Sequence, residues 1–215
     1  MFKGTPEIVA QRREEIVGAC EQLYQTMSFR DITLKEIGNV TSFSRPTIYN
    51  YFHTKEEIFL ALYEREYDRW NADLEEIRSS EQNYSVQQLA DLIAKSLERR
   101  AQLLKLLSMN NYDMESNSRE ELLVSFKRAY GQSLHNFRMI LEKHCSWLSD
   151  TDVQQIVYIF FPFMFGIYPY AEVTAKQKEA MAQAEVDYTY QSIYESTYNC
   201  LIRLLSSGAS SESHR

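Results

Sequence analysis

"TLKEIGNVTSFSRPTIYNYF", residues 33–52, holds two short helical patterns with three residues between them. Thr33 followed by Glu36 is a capping-box pair, which predicts a helix starting at Thr33 with Leu34 and Ile37 inward and Val40 one turn on. Thr41-Ser42-Phe43 interrupts it. Ser44 is a residue type that caps a second helix, predicted over 44–51. Pro46 fits its first turn, where backbone N–H groups have no intrahelical partner. Upstream, apolar positions from Ile8 through Ile16, Ala19 and Leu23 to Met27 form a helical stripe over 7–27. Downstream, Thr54 with Glu57 is a second capping pair that opens a long helix over 54–79. Two short helices joined by a tight turn and backed by a third are the arrangement of a helix-turn-helix.

In that motif the second helix enters the major groove, while hydroxyls, cations and helix N-termini grip phosphates. The side chains of 44–51 suit both tasks. Arg45 matches guanine O6 and N7, Thr47 a base edge or a thymine methyl, and Asn50 adenine or the backbone. Tyr49 and Tyr51 offer hydroxyls to phosphates, and Lys55 adds a positive charge where the next helix begins. Ser44 at the head of the helix and His53 just beyond it complete the candidate set, His53 being as well suited to a solvated loop.

The overall charge of −7 argues against a general nucleic-acid coat. Its distribution does not argue against a local one. Residues 1–55 carry seven Lys and Arg against six Asp and Glu, and residues 56–215 carry 16 against 24. Three widely spaced cysteines, Cys20, Cys145 and Cys200, with no Cys-x-x-Cys or Cys/His cluster, predict reduced thiols in a cytoplasmic protein, with no metal and no cofactor. The N-terminus has no signal-peptide core. The apolar run at 156–171 is too short to span a bilayer and contains two prolines, so it reads as buried core and no membrane partner is expected. There is no GxSxG, P-loop or HExxH, so the chain is not read as an enzyme.

The remaining 160 or so residues have few breakers and read as all-α. Helices are predicted over 85–107, 118–146, 149–168 (capped by Ser149 or Asp150 and kinked at Pro162) and 187–206. Residues 172–187 are polar and only weakly amphipathic, and the tail from about 208 to 215 reads as flexible. The domains are set at 1–53 (helix-turn-helix 33–52), 54–207 and 208–215. Aromatic and mixed stretches in the second domain make candidate walls for a small-molecule pocket: Met109, Tyr112, Phe126, Tyr130, Phe137, Phe160, Phe163 and Met164. For each residue singly, core packing or a dimer interface is the plainer alternative.

Residues 32–62 resemble the DNA-binding region of the TetR family of bacterial transcriptional regulators. The matching pieces are Ile32-Thr33, Ile37, Ser44, Thr47-Ile48-Tyr49, Tyr51-Phe52, Lys55-Glu56 and Ile58, and the likeness extends over roughly 8–62. It implies an all-helical homodimer with an N-terminal three-helix domain and a long fourth helix. A larger C-terminal helical domain follows, with a ligand pocket and a dimer interface made by its last two long helices. It implies DNA contacts at Arg45, Pro46, Thr47, Tyr49, Asn50 and Tyr51, and phosphate contacts at Thr33 and Lys55. The function implied is a repressor released from a double-stranded operator by a small-molecule effector; the alternative is a DNA-binding or architectural module controlled by a protein partner. Where the family usually has Ala-Gly-Val in the turn, this chain has Thr41-Ser42-Phe43. That departure predicts backbone strain if φ is positive there, and an altered docking of the second helix around the bulk of Phe43.

Overall fold

The computed structural model describes residues 5–109 and 111–207. With few breakers and frequent caps, these residues form eleven helices and no strand. The first four are α1 (Pro6–Tyr24), α2 (Leu34–Asn39), α3 (Arg45–Ile48) and α4 (Lys55–Ser79). They are followed by α5 (Val86–Arg99), α6 (Ala101–Leu107), α7 (Asn111–Ser116) and α8 (Glu120–His144). The last three are α9 (Asp150–Ala171), α10 (Ala175–Gln183) and α11 (Ile193–Ser207).

They gather into two compact units. The first takes the described residues up to Glu66 together with α7 and α8 as far as Tyr130; the second takes Tyr67 to Met109 and Gly131 onward. This differs from a linear division at residue 53. The division falls within α4 and α8, and a segment from the middle of the chain joins the N-terminal helices.

The core of the first unit is built from Ile16 and Cys20 of α1, Ile37 of α2, Ile48 and Phe52 around α3, and Ile58, Phe59 and Leu62 of α4, all buried. Phe59 receives the edges of Tyr24 and Phe29 at ring separations of 5.2 and 4.8 Å. Arg65 of α4 pairs with Glu21 at 2.7 Å and Glu14 at 2.9 Å, pinning α1 along α4. In the second unit Trp70 is fully buried and donates its indole N–H to Ser96 of α5 at 3.0 Å. Phe137 of α8 stacks on Phe160 of α9 at 4.7 Å, with Phe161 edge-on to both.

Several predicted boundaries moved. The helix expected over 85–107 is broken at Arg100 (φ −106°, ψ 35°), whose guanidinium turns aside to grip Asp73 of α4 at 2.7 and 3.0 Å. The helix expected from 118 starts at Glu120, and α9 runs through Pro162 and Pro169 to Ala171 as one helix. Its cap is Ser149, in a complete capping box with Asp152. The last helix begins at Ile193 rather than 187, because Ser192 and Glu195 form the reciprocal cap there; residues 186–192 are not helical. The tail expected from 208 lies outside the described residues. No single helix among those described is long and apolar enough to cross a membrane.

Candidate nucleic-acid interface

Thr33 starts α2 as expected, accepting from the amides of Lys35 and Glu36, and its hydroxyl donates to the Glu36 carboxylate. The element that follows is shorter than predicted. α3 spans Arg45–Ile48, and Tyr49 to Tyr51 continue as turns. Ser44 occupies the N-cap position, but its hydroxyl pairs with the Thr47 hydroxyl at 2.9 Å and makes no bond to the helix backbone. Four helical residues cannot hold themselves together, so the shape of this segment comes from what it packs on. Ile48, Tyr51 and Phe52 supply that anchorage and are buried.

On the other side Ser44, Arg45, Pro46, Tyr49, Asn50 and His53 are exposed, with Thr47 half-buried. The Arg45 guanidinium lies against the Tyr49 ring, 5.6 Å from its centroid, and donates to its hydroxyl at 3.1 Å. Thr33 is exposed as well. These eight residues are open to solvent, fully or in part, along the two short helices and their flanks.

Two residues expected beside them are committed elsewhere. Tyr51 is 5% exposed; its hydroxyl accepts from Arg12 at 3.0 Å and its carbonyl from Arg13 at 3.2 Å. The signal was present, since Tyr51 lies three residues after the buried Ile48 in the helix expected over 44–51. Lys55 donates from Nζ to the carbonyls of Phe29 (2.8 Å) and Ile32 (3.4 Å) and lies over the Phe29 ring at 4.0 Å. It closes the loop before α2.

Sequence reasoning missed Arg119. Its Nε and Nη2 donate to the two oxygens of Glu57 at 2.7 and 2.9 Å, its amide donates to Glu57 at 3.2 Å, and Nη2 also reaches the Tyr51 carbonyl at 3.1 Å. Glu57 is almost fully buried and accepts the His53 amide at 2.7 Å too. Burial alone would push its carboxyl up; the Arg119 guanidinium and the two amides outweigh burial and hold it below the usual carboxylate range. So the second capping pair is only half formed. Thr54 caps the Glu57 amide, but the Glu57 carboxylate serves His53 and Arg119.

The eight pocket candidates divide between the units. Tyr112, Phe126 and Tyr130 belong to the first, Met109, Phe137, Phe160, Phe163 and Met164 to the second. Tyr112 is 84% exposed, so it lines no interior of its own unit. Phe126 packs edge-on against Tyr63 of α4 at 5.5 Å, as core. The structure does bring Phe137, Phe160 and Phe163 together, with Phe160 between the other two. Polar groups missed from sequence lie in the same unit: Asn136 on α8 accepts from Gln132 at 2.9 Å and donates to Asn71 of α4 at 3.5 Å, with both asparagines buried.

Two family models match the chain. Bacterial regulatory proteins of the tetR family match residues 16–62, and the tetracyclin repressor-like C-terminal domain matches residues 64–212. The chain belongs to the TetR family. It is thus a transcriptional regulator with a helix-turn-helix DNA-binding domain. No curated protein matches it.

Solved TetR-family structures share the fold. A TetR-family transcriptional regulator from Mesorhizobium loti MAFF303099 superposes with a TM-score of 0.62 at 17% identity, over 96% of this chain and 98% of that one. FadR from Bacillus subtilis, in complex with stearoyl-CoA, gives 0.57 at 16% identity over 91% and 98%. FadR from Thermus thermophilus, a TetR-family repressor in complex with lauroyl-CoA, gives 0.57 at 18% over 91% and 94%.

The turn that departs from the usual TetR pattern carries no strain. Among the described residues Glu185 is the one non-glycine at positive φ, so Ser42 takes an ordinary conformation in the turn. Its amide and hydroxyl both donate to one oxygen of Glu15 in α1, at 2.8 and 2.7 Å. Thr41 bonds back to the Gly38 carbonyl at 3.3 Å. Phe43 lies half-buried, with the Arg12 guanidinium 5.9 Å from its centroid and Tyr51 6.4 Å away. The bulk that replaces valine is therefore taken up by side chains of α1 and the end of the recognition segment.

Proposed function

We propose that this TetR-family regulator is a homodimeric repressor whose two recognition segments enter successive major grooves of a near-palindromic operator, about 34–36 Å apart. The observation that carries the reading is the division of the recognition segment. Arg45, Tyr49 and Asn50 are exposed while Ile48, Tyr51 and Phe52 hold the segment down. Arg45 leaves Tyr49 to reach a guanine, Asn50 and Thr47 read neighbouring bases, and the hydroxyls of Thr33, Ser44 and Tyr49 meet phosphates together with the Pro46 edge and His53. Tyr51 and Lys55 serve this surface from behind it.

Control comes from an effector in the second unit that binds better to a conformation unsuited to the operator, and it shifts the population by that difference in affinity. The Phe137, Phe160 and Phe163 rings with Met164 offer it an apolar wall, and Asn71 and Asn136 offer polar groups. Long-chain acyl-CoA thioesters are the first compounds to test, because two structures of this fold hold them. Dimerisation uses α9 and α11; on α9 Tyr158, Ile159 and Tyr170 stand 74%, 52% and 62% exposed.

The test starts from duplexes that the wild-type chain enriches from a randomised library. Arg45→Ala with Tyr49→Ala is expected to abolish enrichment and binding at fixed salt while leaving helix content and oligomeric state intact. Undiminished affinity in that variant would refute the interface. If no acyl-CoA or other small molecule releases the duplex, control passes to a protein partner.

A further inference from the structure

We propose that Arg119 is a positioning residue for the DNA-binding surface, acting through Glu57 and the Tyr51 carbonyl. The inference rests on the DNA-binding reading above.

Tyr51 ends the recognition segment. Carbonyls at a helix end have no intrahelical donor and need one from outside. Two guanidinium groups supply it, Arg13 from α1 and Arg119 from the α7–α8 junction. Glu57 stands in the first turn of α4 and takes four N–H groups: the Arg119 amide, its Nε and Nη2, and the His53 amide. The Arg119 fork therefore ties together the end of the recognition segment, the link at His53 and the start of α4. An arginine suits this because its planar donors meet a carboxylate in two parallel bonds and keep N–H groups for a carbonyl. Thr54 adds a further tie, its hydroxyl donating to the Asn117 carbonyl at 3.0 Å.

The residue that does this is 62 positions from Glu57 and lies inside the C-terminal family model. It belongs to the first compact unit all the same, with Ser125 bonded to Glu64 at 2.7 Å and the adjacent Phe126 packed against Tyr63. α8 starts one residue after Arg119 and continues to His144 in the second unit. Any change that draws the head of α8 away from α4 must first break the Arg119 fork, and with it one of two donors that hold the recognition segment. Arg119 touches no base in this account. It sets where Arg45, Tyr49 and Asn50 stand.

The experiment compares full-length wild type, Arg119→Gln and Arg119→Lys on a duplex enriched by the wild type, over a series of salt concentrations. Thermal unfolding and amide exchange are followed in parallel. Arg119→Gln is expected to bind roughly tenfold more weakly with the same dependence of log K on log salt, because no phosphate contact is lost. Arg119→Lys, a point charge without the fork, is expected to fall between. Amides of residues 44–53 should exchange faster in both variants while those of α5 do not change. Wild-type affinity in a folded Arg119→Gln overturns the proposal, and so does a salt slope lowered by about one, which would make Arg119 a phosphate contact. If Arg119→Gln does not fold, Arg119→Lys decides, and wild-type affinity and exchange in it overturn the proposal. If the wild type enriches no duplex, the DNA-binding reading falls instead. Exchange at 44–53 then tests Arg119 alone, with unchanged protection as the refuting result.

Discussion

Glu15 of α1 and Ser42 in the turn between the two short helices are joined by two hydrogen bonds to a single carboxylate oxygen, at 2.8 Å from the amide and 2.7 Å from the hydroxyl. Those bonds hold the Glu15 carboxyl below its usual range. The pair does the work of a turn glycine by a different route, since it fixes the backbone from outside where glycine would relax it from within. Ser42→Ala keeps the amide bond and is expected to cost less than about 1 kcal/mol at this exposed site. Glu15→Ala loses both bonds and should cost more. Urea unfolding of the two variants gives the order.

Acid should loosen the first unit through Glu57. A carboxylate whose folded pKa is depressed adds stability that is fully present above its unfolded pKa, about 4.3. That stability is lost as pH falls through the lower folded value. Glu57→Gln should remove most of this acid sensitivity. At neutral pH it is expected to cost about 2 kcal/mol, below the cost of breaking a fully buried pair because Arg119 is one-third exposed. Unfolding free energies of both proteins between neutral pH and pH 3 check the sign and the window.

Trp70 and Ser96 make a buried pair in the second unit, and the Ser96 hydroxyl in turn donates to the Ile93 carbonyl at 2.8 Å. Ser96→Ala strands the indole N–H in a fully buried place, for an expected loss of about 1–3 kcal/mol. A drop in melting temperature, together with altered tryptophan emission, is the measurement. An unchanged melting temperature would mean that the indole finds another acceptor.

Phe160 and Phe163 differ in burial though both are pocket candidates. Phe160 is fully buried between Phe137 and Phe161, so Phe160→Ala is expected to cost about 3–5 kcal/mol. Phe163 is half-buried, and Phe163→Ala should cost much less. The second variant is therefore the one in which a lost response to an acyl-CoA would report on binding and not on folding.

For the dimer, Tyr158→Arg with Ile159→Glu places charges on the exposed side of α9 without touching the buried residues of that helix. Sedimentation is expected to show a folded monomer with weakened operator binding, since half-sites would then be bound singly. A dimer of wild-type affinity would move the interface off this side.

What could be read from sequence was set by local rules. Thr33 caps α2 as expected, Ser149 is the one of the two expected candidates that caps α9, and the helix-turn-helix stands where two patterns and a short break put it. What could not be read depends on partners distant in the chain. The break at Arg100 answers Asp73, and the place of residues 111–130 in the first unit is secured by pairs such as Arg119 with Glu57 and Ser125 with Glu64. No window of neighbouring residues contains those pairs. Of the candidate interface, the exposure of Ser44, Arg45, Pro46, Tyr49, Asn50 and His53 agrees with the sequence pattern. The burial of Tyr51 follows from its place three residues after the core Ile48, whereas the bonds of Lys55 to the Phe29 and Ile32 carbonyls join residues more than twenty positions apart.

The brevity of α3 has a further consequence. Its four residues owe their conformation to Ile48, Phe52 and the ties at Ser42 and Tyr51, while Arg45, Tyr49 and Asn50 add little to it. Changes at those three positions can therefore accumulate at small thermodynamic cost. On the proposed reading, in which Arg45 and Asn50 meet bases, descendants of this chain can drift to new operators on a scaffold that does not register the change.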